Sequence, residues 1–165
     1  MKKIVLLQVL SLLFSCQAPE SLNKYETDTF SIYYPPNLEI EKNDQSGVLF
    51  LLKAEQENEN DIFIENINLV SGMAGNIRLE EYAKNAIDEI KVLANLIENK
   101  IITVNGKDCL RFVFELEEND TKLKFIQHHY LYNNKAYTLT FSSEAKSYDK
   151  YFDEMNKVLY SFRLK

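Results

Sequence analysis

The stretch IITVNGKDCLRFVFEL, residues 101–116, decides the fold. Asn105-Gly106 is a dipeptide favoured in two-residue hairpin turns, because both central residues of a type I′ turn take positive φ. With the turn there, Val104 faces Lys107, Ile102 faces Cys109 and Ile101 faces Leu110. Apolar residues then fall on both faces of the hairpin. A strand pair with one wet face would alternate apolar with polar, so this hairpin is expected to be covered on both sides.

Working outward, Asn133-Asn134 reads as a second turn of the same kind. It pairs Tyr130 with Tyr137, His128 with Leu139 and Ile126 with Phe141 on one face. The other face carries Gln127, His129, Thr138 and Thr140 and is expected to be at least partly open to water. Upstream, Phe30, Ile32 and Tyr34 alternate with Ser31 and Tyr33, then meet Pro35-Pro36; proline cannot donate to a ladder, so a strand ends there. Two further strands are expected at 48–53 and 62–70, the second broken by Gly72 and Gly75.

Leu79, Tyr82, Ala83, Ala86, Ile87, Ile90, Leu93 and Ala94 recur at helical spacing, opposite Glu80, Glu81, Lys84, Asp88 and Lys91. An amphipathic helix that docks on an apolar surface follows. Tyr148, Tyr151, Phe152, Met155, Val158, Leu159 and Phe162 repeat the pattern behind Ser147, a candidate N-cap. Strands joined by tight turns, with helices packed on them, make an α+β fold with a mostly antiparallel sheet flanked by helices. A doubly wound nucleotide fold is not expected.

This order resembles the PsbP-like family, which includes small exported bacterial lipoproteins. The resemblance is carried by Phe30-Ser31-Ile32-Tyr33-Tyr34-Pro35, the helix from Leu79, the Asn105-Gly106 turn, the strand from Tyr137 to Phe141 and the closing Tyr160-Ser161-Phe162-Arg163. It spans nearly all of the chain after the leader. It implies an α/β/α sandwich, and roles in assembling or stabilising larger complexes more often than catalysis. It transfers no site residues and no photosynthetic role.

The chain has 165 residues, 45% of them hydrophobic, with 10 Phe and 10 Tyr, enough for one domain with its own core. Its first residues read as a leader. Met1-Lys2-Lys3 is a positive start, and the apolar run at 4–14 is too short to span a membrane, which takes about 20 apolar residues. Leu13-Phe14-Ser15-Cys16 resembles a bacterial lipobox: aliphatic, tolerant, small, Cys. The resemblance implies a signal peptide at 1–15, a diacylglycerol on the Cys16 thiol, a polar tether at 16–23 and the PsbP-like domain at 24–165. Palmitate-type chains on Cys16 would hold the domain on the extracytoplasmic side of the cell membrane or outer membrane, since two or more chains anchor stably at about 0.8 kcal/mol per buried CH₂.

Formal charge is -6, and removing Lys2 and Lys3 from the 19 basic residues leaves 17 against 25 acidic, or -8. That balance disfavours nucleic acid and anionic headgroups, both of which need a cationic stripe.

Chemistry is sparse. His128 and His129 are adjacent on a strand and point to opposite faces, so they do not chelate one metal together. His128 is expected in the core, and His129 is the one able to reach a ligand, with Thr138 and Thr140 beside it. Cys109 reads as a small buried hydrophobe, left without a disulfide partner once Cys16 is lipidated. The glycine-bearing 71–75 lacks P-loop and dinucleotide spacing, and Glu80-Glu81 and Glu117-Glu118 read as surface acids on a helix and a hairpin loop. The acidic run 55–61 lacks EF-hand order. The sequence therefore assigns no catalytic residue, no metal and no cofactor. It favours a noncatalytic module docking on an envelope protein; the alternative is a small-ligand or metal-binding protein using the His129, Thr138, Thr140 face or the loop around Glu57.

Overall fold

Both asparagine turns form as expected in the computed structural model, which describes residues 21–42, 47–59 and 61–165. Asn105 and Gly106 take φ of 50° and 79°, and Asn133 and Asn134 take 50° and 60°. A third such turn, Asn119-Asp120 with φ of 50° and 62°, sits between them. The chain runs β1 (Asn23–Glu26), β2 (Phe30–Tyr34), β3 (Glu39–Lys42), β4 (Val48–Lys53), β5 (Asn66–Met73), α1 (Leu79–Leu93), β6 (Asn95–Val104), β7 (Lys107–Glu118), β8 (Thr121–Tyr132), β9 (Lys135–Glu144), α2 (Tyr148–Ser161) and β10 (Arg163–Leu164).

Seven strands form one antiparallel sheet in the order β3-β4-β5-β9-β8-β7-β6, and β1, β2 and β10 form a small second sheet. Every pair read from the two hairpins holds: Ile102 with Cys109, Ile101 with Leu110, His128 with Leu139, Ile126 with Phe141. The β6–β7 hairpin is apolar on both sides for the reason anticipated. Val104, Cys109 and Val113 join the main core with Ile67, Leu139, Phe141, Met155 and Leu159, under α2. Leu110, Phe112 and Phe114 form a second cluster under α1. The sandwich thus has one helix on each face of the sheet.

Three of the stretches that carry the family likeness meet in space. The Asn105 amide donates to the carbonyls of Tyr160 (3.1 Å) and Phe162 (2.8 Å), satisfying groups left over at the end of α2. The Tyr33 N–H donates to the Ser161 hydroxyl at 2.9 Å, and β10 pairs with β2 through Leu164 opposite Phe30.

Several expected boundaries move. The strand expected at 62–70 starts at Asn66; Glu65, one step earlier, still accepts from the Ala54 N–H through its carbonyl (2.9 Å) and from the Ser143 hydroxyl through its carboxylate (3.2 Å). It also continues through Gly72, paired with Ala136, so the break comes at Gly75, whose φ is 66°. Glu117 and Glu118 end β7 instead of forming a loop. Ser147 is helical in φ and ψ and makes no side-chain cap bond. Leu93, placed by its spacing on the docking face of α1, is 78% exposed because the helix ends there and the chain turns into β6.

No helix among the described residues is long and apolar enough to cross a membrane. The leader, the lipobox and Cys16 lie outside the described residues.

Candidate functional site

The three side chains picked out for ligand contact come together. His129 on β8 sits directly opposite Thr138 on β9, and Gln127 opposite Thr140, all on the α1 side of the sheet. Strand alternation puts them there: Leu110, which faces His129 from β7, belongs to the apolar cluster under α1.

The outcome differs from the expected open face, because His129 is only 7% exposed and Thr140 6%. Its Nε2 lies 2.9 Å from the Gln127 amide oxygen, which only accepts, so Nε2 carries the proton. Nδ1 then accepts from the Tyr82 hydroxyl at 3.1 Å, and the Thr138 hydroxyl, 3.2 Å from Nδ1, bonds to the Tyr82 hydroxyl. The Gln127 amide donates onward to the Thr140 hydroxyl at 3.2 Å. Phe112 stands edge-on to the imidazole, with centroids 5.1 Å apart. Burial pushes the His129 pKa down to about 4, so the ring is neutral at ordinary pH. Both ring nitrogens are engaged within the fold. Thr138 and Gln127 keep partial exposure at the margin of the cluster.

Tyr82 is the member that sequence reasoning missed. Its helical spacing marks it as an α1 docking residue, and nothing local says that its hydroxyl reaches a histidine 47 positions away.

On the opposite face His128 is fully buried, as anticipated, and neither ring nitrogen has a hydrogen-bond partner. It lies edge-on to Tyr160 at 5.3 Å and to Tyr130 at 6.4 Å. Burial first, then the nearby Arg111 charge and His129, push its pKa down to about 3. Arg111, directly across from His128, is itself buried and pairs with Glu98. Cys109 is buried and free, its thiol pushed up to about 11 by burial, opposite in character to an activated nucleophile.

The acidic loop docks on α2. Glu57 accepts from Lys150 Nζ at 2.5 Å and from the Tyr151 hydroxyl at 2.8 Å, which hold its carboxyl below the usual range. Among the described residues no group of three or more His, Cys, Asp or Glu side chains is placed to hold a metal ion.

Comparison with known proteins agrees with this architecture. The PsbP family model matches residues 20–164. The chain belongs to the PsbP family. Cyanobacterial PsbP (CyanoP) from Synechocystis sp. PCC 6803 superposes with a TM-score of 0.64 at 16% identity, over 93% of this chain and 99% of that one. LpqN of Mycobacterium tuberculosis, described as involved in cell envelope biogenesis, gives 0.67 at 12% identity over 91% and 87%. A Pseudomonas aeruginosa protein of unknown function gives 0.61 at 8% over 85% and 94%. At these identities the structures share the fold. No curated protein sequence matches.

Proposed function

We propose that this PsbP-family protein is an exported lipoprotein, anchored through Cys16, whose domain acts as a noncatalytic interaction module on a protein of the cell envelope. The observation that carries the module reading is the inward engagement of His129. The side chains best suited to hold a ligand are bonded to one another and to Tyr82, and so serve to fasten α1 to the sheet. Anchoring is supported by the leader and by Leu13-Phe14-Ser15-Cys16, and the envelope setting by the cell envelope role described for LpqN.

The test has two arms. Cells labelled with radioactive palmitate are expected to yield labelled, shortened wild-type protein, and an unlabelled full-length precursor for Cys16→Ser. Affinity isolation from detergent-solubilised membranes is expected to bring down one envelope protein in stoichiometric amount. Unlabelled, full-length wild-type protein in the cytosol would overturn the anchoring. A thermal shift by one small-ligand or metal class, lost in His129→Gln, would replace the module reading with ligand binding.

A further inference from the structure

The large sheet ends in two unlike edges. β3 is four residues long and carries Glu39, Glu41 and Lys42, a short charged edge of the kind that resists pairing. β6 is ten residues long, and among the described residues no strand pairs with its outer side. Ile97 and Ile101 on β6 are each 51% exposed, and Val92 and Leu93, just before it, are 82% and 78% exposed.

The backbone and the side chains of β6 point to the same occupant. In a two-residue hairpin the pair flanking the turn exchanges both hydrogen bonds, and bonded pairs alternate from there. Val104 and Lys107 are that pair, so Ile102, Lys100 and Glu98 bond to β7 while Thr103, Ile101 and Asn99 direct their backbone groups outward. The segment Leu96-Ile97-Glu98-Asn99-Lys100-Ile101-Ile102 is a charge-complementary palindrome about Asn99. An antiparallel copy centred there sets Glu98 against Lys100 and Lys100 against Glu98, and brings the exposed Ile101 of each copy towards the bulged Ile97 of the other. Asn99 meets Asn99 through the outward groups. Sliding to either neighbouring register with the same hydrogen-bond phase brings Lys100 onto Lys100 or Glu98 onto Glu98, and like charges directly opposite are destabilising. The bulge between Leu96 and Glu98 bends the strand beside this centre and bounds the ladder.

We infer that β6 pairs antiparallel with β6 of a second copy of this chain about a two-fold axis at Asn99, joining two seven-stranded sheets into one. The contact is self-complementary, as a two-fold interface requires. It goes beyond the proposed function and does not depend on the lipid.

The test uses the full chain carrying Cys16→Ser, which leaves the buried Cys109 as its one thiol. Bonded antiparallel partners have Cα atoms about 5.5 Å apart, inside the disulfide range of about 4.4 to 6.8 Å. Adding Asn99→Cys is expected to give a disulfide-linked dimer under mild oxidation, and Thr103→Cys, far from the axis, is expected to give none. Lys100→Glu added to Asn99→Cys sets like charges opposite each other at two places and lowers dimer yield about tenfold. Glu98→Lys added on top restores it. Circular dichroism checks that each variant folds; if loss of the Arg111 partner unfolds the last one, the first three decide. The inference is overturned if Asn99→Cys stays monomeric, if Thr103→Cys links equally well, if Lys100→Glu changes nothing, or if Asn99→Cys in membranes links only to a different protein. Each of these results leaves the palmitate arm of the functional test untouched.

Discussion

α1 and α2 are 15 and 14 residues long and carry the same apolar spacing, yet α2 buries Tyr148, Met155, Val158 and Leu159 while α1 buries no residue fully. The difference lies in the surfaces beneath them. α2 covers a face on which Ile67, Ile126, Leu139 and Phe141 are fully buried, and β2 closes over the same core. α1 rests near the end of the sheet on Leu110, Phe112 and Phe114, beside the polar His129, Gln127, Thr138 and Thr140. Amphipathic periodicity therefore tells which side of a helix docks. How deeply it docks depends on what the sheet presents. One face of this molecule holds the fold together, and the other holds a helix by an apolar cluster and a histidine clamp.

The sharpest way to break that comparison is to truncate one apolar residue on each helix. Leu159→Ala, in the α2 core, is expected to cost about 4 kcal/mol, and Ile87→Ala, half-buried on α1, about 1 kcal/mol. Equal losses in denaturant melts would mean that α1 is as integral as α2.

Acid sharpens it further. His128 has a folded pKa of about 3, below its ordinary value, so the unfolded chain binds the proton first as pH falls. Its contribution is fully present above about pH 7, falls as pH drops below about 6.5, and amounts to a loss of about 2 kcal/mol by pH 5. His128→Leu is expected to remove about half of the stability lost between pH 7 and pH 5, the other half belonging to His129, and to leave stability at pH 7 equal or higher, because no hydrogen bond is lost. A profile unchanged by the substitution would contradict the burial of an unpartnered imidazole.

The smallest expected effect is at the clamp. Tyr82→Phe removes one hydrogen bond to His129 and should cost about 1 kcal/mol, with faster amide exchange along α1 and none gained in α2. Faster exchange in both helices would mean that α1 does not open separately.

The features legible in the sequence are those written locally. Asn105-Gly106 and Asn133-Asn134 declare positive φ, strict alternation sets the register across each turn, and that register places Cys109 and His128 inside. The parts missed depend on distant partners. β3 and β10 are four and two residues long and exist because β4 and β2 lie beside them. The first half of β6, from Asn95 to Lys100, is polar and bulged, so it shows no period of two until β7 is in place. The register across the Asn133-Asn134 turn brings His129, Thr138 and Thr140 to one side of the sheet. Their enclosure was hidden, since the Tyr82 hydroxyl arrives from another element.

The central claim is that His129 is a neutral structural clamp and not a ligand group open to solvent. With only two histidines in the chain, ¹⁵N-resolved NMR of the imidazoles against pH tests it without ambiguity. The account predicts that neither ring titrates between pH 8 and about pH 5, and that His129 keeps its proton on Nε2 throughout. A His129 resonance titrating at its ordinary value of about 6.5, or a proton found on Nδ1, would contradict it and return His129, Thr138 and Thr140 to the role of a ligand site.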